Sequence, residues 1–164
     1  MAGGPILPSS IYVGGAAGTL SVNYYIPTTN TNTAGAIEGI YVAASGFAAD
    51  APAVLQFNLP EVLPSGTLKL RLLFWANAST GNAIYTVADA GTAPASNIGA
   101  TTLTTDASAA SVTRSAVDTA QEIKVTLTGA GQTANNIYTV LLTFNHTSFT
   151  LAVTSVWQAS LVWE

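Results

Sequence analysis

The chain has no cysteine in its 164 residues. That excludes disulfides, thiolate metal sites and a cysteine nucleophile. Histidine occurs once, as His146, so zinc sites built on Cys/His clusters are excluded as well. A serine-type triad needs an imidazole base held by an acid. His146 stands between Asn145 and Thr147 at a strand end, with no Gly-x-Ser-x-Gly elbow anywhere in the chain. It reads as a turn or interface histidine.

Charge is scarce. Lys+Arg number 4 and Asp+Glu 8, giving a net charge of -4, and charged residues make up 7% of the chain. Nucleic-acid binders carry a basic stripe, which so few cations cannot build. Lys69 and Arg71 alternate with Leu68, Leu70 and Leu72, which puts the two cations on the solvent face of a half-buried strand. Long apolar runs are also missing. Thr, Asn and Gly break every run well short of the ~18 residues that a membrane-spanning helix needs. Neither nucleic acid nor membrane is therefore an expected partner. Residues 1–10 lack a positive n-region and an apolar h-region, so they do not read as a secretory signal; assembly in a cytoplasm is expected, with a signal already removed as the alternative.

What the chain does contain is β-former. Thr67–Trp75, Ile137–Phe144 and Trp157–Trp163 are its strongest strand-like segments. Ala53–Leu59 alternates Val54, Gln56 and Asn58 against Leu55, Phe57 and Leu59. Glu122–Leu127 alternates with Ile123, Val125 and Leu127 inward. Shorter strands are expected at Ile11–Val13, Leu20–Tyr25, Gly39–Ala43 and Ala83–Ala88, with a hairpin at Ser79–Asn82. In the last strand Trp157, Ala159, Leu161 and Trp163 share a face. Residues 27–33 read as a polar loop. Residues 89–110, dominated by Ala, Thr, Ser, Gly and Asn, read as a long surface excursion. No segment shows capped helical periodicity. Closely spaced strands with Gly/Pro/Asn turns imply an all-β, jelly-roll-like antiparallel β-sandwich, with an immunoglobulin-like sandwich as the alternative.

Residues 1–10 read as an extended N-terminal arm, and 11–164 as one β-sandwich domain. Gly3, Gly4, Pro5 and Pro8 disfavour regular structure, while Ile6 and Leu7 are apolar anchors between them. Such an arm frays in a monomer or lies on a neighbour in an assembly.

Chemistry is hard to find. Glycosidases need two carboxylates about 5 to 10 Å apart. Nothing in the spacing of Glu38, Asp50, Glu61, Asp89, Asp106, Asp118, Glu122 and Glu164 pairs two of them in a cleft. Asp118 and Glu122, near Arg114 and Lys124, read as surface ion-pair partners. Asp89 stands beside Gly91 with no second acid close in sequence, unlike a calcium loop. No catalytic residue, metal or cofactor is assigned, and no enzyme activity is expected. Trp75 falls on the mixed face with Lys69, Arg71 and Leu73, and is the aromatic expected at an interface or ligand. Asn77–Ser79 and Asn145–Thr147 match the N-glycosylation pattern by chance.

One resemblance adds to this reading. The succession of Leu63–Leu73, a Gly-Asn hairpin, Val125–Leu127, Tyr138–Phe144 and Phe149–Trp157 running into Trp163-Glu164 resembles small β-jelly-roll virion proteins of tailed bacteriophages. That group includes head decoration, or cement, proteins and fibre heads. The resemblance covers the chain from Ala53 onward. It implies a structural virion protein, foremost a capsid decoration protein that stabilises the assembled shell. A receptor- or carbohydrate-binding fibre module is the alternative. The implied partners are the major capsid protein and further copies of the chain, with a homotrimer favoured, on the capsid surface of the virion. Pro5, Ile6, Leu7 and Pro8 are the expected capsid contacts.

Overall fold

A computed structural model describes residues 5–13, 20–23, 39–42, 51–76, 82–96, 101–113, 121–144 and 155–164. They form ten strands: β1 (Ser10–Val13), β2 (Leu20–Asn23), β3 (Gly39–Val42), β4 (Ala51–Asn58), β5 (Leu68–Ala76), β6 (Asn82–Thr92), β7 (Thr104–Thr113), β8 (Gln121–Thr126), β9 (Ile137–Phe144) and β10 (Ser155–Trp163). Two five-stranded sheets have the orders β1-β4-β9-β6-β7 and β2-β3-β10-β5-β8. Every pairing is antiparallel. Chain neighbours pass between sheets, as β4 and β5 do, and this gives the antiparallel two-sheet sandwich of jelly-roll proteins.

Period-two patterning explains why these segments become strands. In β9, Tyr138, Val140, Leu142 and Phe144 are buried and the residues between them are half-buried. In β4 the inward set is Ala53, Leu55 and Phe57, and in β5 it is Leu68, Leu70 and Leu72. Opposed across the sandwich, these rows form one core with Tyr85, Val87, Val125, Leu127, Ala159 and Leu161. Each fully buried Leu or Phe contributes about 1.5–3 kcal/mol over its exposed state. The face expected to be shared in the last strand is the inward one where it is described: Ala159 and Leu161 are buried, and Trp163 packs against the core.

Two regions depart from the sequence reading. Residues 89–110 are not one surface excursion. β6 continues to Thr92, and β7 opens at Thr104 and pairs with it at the sheet edge. Backbone pairing and β-branched threonines build this hairpin. Its small side chains carry almost no apolar contrast, so periodicity could not show it. The segment at residues 5–9 is extended, yet it lies on its own domain. Ile6 N–H donates to Leu161 O (2.9 Å) and Ile6 O accepts from Leu161 N–H (2.8 Å), while Ser9 N–H donates to Gln56 O (2.7 Å). Ile6 thus covers part of the β10 edge beyond β3, and Ser9 extends the β1–β4 ladder. Pro5 and Pro8, which have no N–H to offer a ladder, flank the step from one sheet to the other.

Candidate functional site

The outer faces of the two sheets differ in chemistry. On the second sheet, alternation turns Lys69 and Arg71 of β5 and Glu122 and Lys124 of β8 outward. Arg71 Nε donates to Glu122 Oε2 at 2.5 Å, Lys69 Nζ to Glu164 Oε2 at 3.0 Å, and Lys124 pairs with both Glu122 (3.1 Å) and Glu164. Hydrogen bonds from Arg71 and then Lys124 hold the Glu122 carboxyl below its usual range. Those from Lys124 and then Lys69 do the same for Glu164. The Lys124 ammonium is held above its usual value, by Glu164 first and then Glu122. The foreseen ion pair of Glu122 with Lys124 is present, with Arg71 as a further partner. Asp118 and Arg114 lie outside the described residues.

The outer face of the first sheet carries no charge among its described side chains. Its rows run across β4, β9 and β6: Pro52–Thr143–Thr86, Val54–Leu141–Ala88, Gln56–Thr139–Ala90 and Asn58–Ile137–Thr92. Threonine hydroxyls and side-chain amides alternate there with aliphatic surface. The end of the face near Thr92 dips into a depression of about 60 Å³. Gln56, Thr139 and Ile137 line it on the sheet side, and Pro94 and Ser96 on the loop side. Ser96 N–H donates to Ala93 O at 3.1 Å, and Ala95 closes the turn at φ 64°. A hydrogen bond between the Thr92 and Thr101 hydroxyls (2.8 Å) ties the loop down beside its base. An alanine in the left-handed region costs about 1–2 kcal/mol, so the rim is held in place by its surroundings. The depression is far smaller than the ~300 Å³ of a pocket that engulfs a ligand. It can seat one edge of an extended ligand lying over the sheet.

Beneath the same sheet lies a pair of carboxyls that sequence spacing did not reveal. Asp89 of β6 is 0% exposed. It accepts from Gly129 N–H at 3.1–3.2 Å and from the Tyr138 hydroxyl. Its other neighbour is Asp106 of β7. Asp106 Oδ1 accepts from Thr128 N–H (2.9 Å) and Thr128 Oγ1 (2.5 Å), whereas its buried Oδ2 has no ordinary donor. Burial first, and the Asp106 carboxyl second, push the Asp89 carboxyl up to about 7. Burial, with Asp89 beside it, also raises the Tyr138 phenol. A bulge makes the pairing possible. Val87 faces Ala107 and Ala88 faces Thr105, so Asp106 is the extra residue on β7. In sequence Asp89 has no second acid close by; the hairpin supplies one, Asp106, from the distant end of the loop. No group of three or more His, Cys, Asp or Glu able to hold a metal occurs among the described residues.

The remaining sequence candidates are scattered. Trp75 stands opposite Val156 in the β5–β10 register, and its side chain lies outside the described residues. His146 and the two Asn-x-Ser/Thr matches also lie outside them. Of the N-terminal candidates, Ile6 packs against the core, Pro8 is half-buried, Pro5 is exposed, and Leu7 is 54% exposed.

No family model matches the chain, and no curated protein matches it. Solved structures resemble it in fold. The arabinose-bound α-L-arabinofuranosidase MgGH51 aligns at TM-score 0.51 and 10% identity, over 97% of this chain and 24% of the enzyme. The N-terminal cellulose-binding domain of Cellulomonas fimi β-1,4-glucanase C aligns at 0.47 and 17% identity, over 96% and 90% of the two chains. The enzymatically active domain of bacteriophage CBA120 tailspike protein 4 aligns at 0.43 and 9%, over 94% of this chain and 19% of that one. At such identities the likeness is one of architecture. The chain is an antiparallel jelly-roll β-sandwich, and the immunoglobulin-like alternative falls away.

Proposed function

We propose that the chain is a carbohydrate- or receptor-binding module that takes a neutral glycan across the outer face of the β1-β4-β9-β6-β7 sheet. One observation carries this reading: the face joins hydroxyl and amide groups to aliphatic patches without a single charge among its described side chains. The described cations all stand on the opposite sheet, paired with glutamates. A sugar ring presents hydroxyls at its edge and C–H groups on its faces. Thr139, Gln56 and Asn58 match the first, and Ile137, Leu141 and Val54 the second. Binding to such a face depends little on salt. The role assigned here is binding, not bond cleavage.

A glycan array with neutral and acidic oligosaccharides, followed by calorimetric titration, tests the proposal. The neutral ligands should be retained, and Gln56→Ala or Thr139→Ala should weaken binding several-fold. An array with no ligand retained would count against it.

Leu7 (54% exposed) and Val62 (80% exposed) favour a second reading, that of a virion decoration protein. They are apolar side chains in solvent, suited to contact the major capsid protein or further copies of the chain in a homotrimer. Co-sedimentation with preformed shells tests it. Replacing both by serine should then weaken retention while leaving glycan binding untouched.

A further inference from the structure

We propose that Asp89 and Asp106 share a single proton, and that this proton latches the 127–136 loop onto the β6–β7 hairpin, holding at acidic and neutral pH and releasing as the solution turns alkaline.

The loop is tied to the hairpin at few points, and most of them converge on the carboxyl pair. Thr128 donates twice to Asp106, and Gly129 N–H donates to Asp89. Beside them Gly91 N–H donates to Ala130 O at 2.7 Å. Tyr138, at the start of β9, closes the cluster through its hydroxyl. The Thr128 and Gly129 donors are thus spent on one oxygen of Asp106 and on Asp89. The second oxygen of Asp106 is buried and has no donor. A proton held between the two carboxyls fills that vacancy and removes the repulsion of adjacent like charges.

The groups that face the pair leave the proton without a substitute. β7 supplies Asp106 and β9 supplies Tyr138, a neutral donor. The loop supplies Thr128, Gly129 and Gln132, all uncharged. The core residues of the opposite sheet, Leu68, Leu70, Val125 and Leu161 among them, are apolar. Lys69, Arg71 and Lys124 are engaged with Glu122 and Glu164 on the far outer face. When the proton leaves, two charges remain in an apolar setting with no described cation to balance them. The loop is anchored at its ends, by Leu127 N–H to Leu68 O and by Asn135 N–H to Pro60 O, so the parting is confined to the stretch between them.

Carbon-13 NMR of the labelled full chain reads the latch directly, by following aspartate carboxyl shifts from about pH 4 to about pH 10. The Asp89 carboxyl should titrate near neutrality, and the Thr128 and Gly129 amide resonances should shift with it. Finding the Asp89 carboxyl ionised at about pH 6 would overturn the proposal. Asp106→Asn gives a second, independent reading. Its amide N–H replaces the shared proton permanently, while its carbonyl can still accept from Thr128. Wild-type melting temperature should fall from about pH 5 to about pH 9, and that of Asp106→Asn should fall less, since burial of Asp89 remains while the Asp106 charge is gone. Parallel profiles would refute the latch. So would recovery of alkaline stability by calcium chloride, which would make the pair a cation site instead.

Discussion

Replacing Gly91 by alanine drives a methyl group into the backbone of the facing loop. A Cβ at this position would lie 2.0 Å from Gly131 O and 2.6 Å from Gly131 C. Carbon contacts are comfortable at about 3.5–4.0 Å, so hairpin and loop must part by more than about 1 Å. No rotamer relieves the clash, because both partners are backbone. The hydrogen bond from Gly91 N–H to Ala130 O is lost or stretched, and the Gly129 N–H bond to Asp89 moves with it. Overpacking of this kind costs about 1–3 kcal/mol, and each lost hydrogen bond about 1 kcal/mol. The sum is about 3–5 kcal/mol. For a chain of this size that lowers the melting temperature by roughly 6–20 °C. Differential scanning calorimetry with urea melts measures it. Thr86→Ala, half-buried on the outer face of the same strand, serves as a control and should shift stability by less than about 0.5 kcal/mol. If Gly91→Ala melted within a degree of wild type, the close approach of β6 to the loop would be wrong, and the latch would fall with it.

Other expectations follow from the same geometry. Ala95→Gly relieves a left-handed alanine at the rim of the depression, and chemical melts should show a gain of about 0.5–1 kcal/mol. Removing residues 1–9 deletes the paired bonds of Ile6 with Leu161 and the Ile6 side chain, but frees the backbone of a short segment. Urea melts should show a net loss of about 1–2 kcal/mol, and an unchanged midpoint would mean that the segment contributes nothing. The carboxyl of Asp89 is raised, so the folded chain holds a proton that the unfolded chain gives up. Stability from this group is therefore greatest on the acid side and declines as pH climbs from the ordinary aspartate value toward about 7, by up to ~1.4 kcal/mol per pH unit. Urea melts across that window measure the slope, and a rising slope would contradict it.

The readable parts of the sequence were those where large apolar residues alternate. β4, β5, β8, β9 and the end of β10 were legible because Leu55, Phe57, Leu70, Leu72, Val140 and Leu161 sit two apart on inward rows. β7 was not, since Thr104–Thr113 is threonine, serine, alanine and one aspartate before its valine, and the same letters suit a loop. The outward position of Lys69 and Arg71 followed from alternation, but their tie to Glu122 and Glu164 depends on which strands lie side by side. The Asp89–Asp106 pair was hidden for a deeper reason. A one-residue bulge decides which way Asp106 faces, and a bulge has no signature in a run of small residues. Gly129 and Gly131 offered the faint signal: two glycines in a short turn mark a place where backbones meet. The uncharged face was half visible, because Val54, Gln56 and Asn58 were set outward, but its full extent required the β4–β9–β6 register.

Calorimetric titration of the best array ligand into wild type and into the Gln56→Ala, Thr139→Ala double variant decides whether the uncharged face binds a neutral glycan. Wild type should give a saturable isotherm, and a variant that melts like wild type should lose at least about tenfold in affinity, or about 1.4 kcal/mol. Equal binding by the two proteins, or no saturable binding by wild type, would rule glycan binding at this face out.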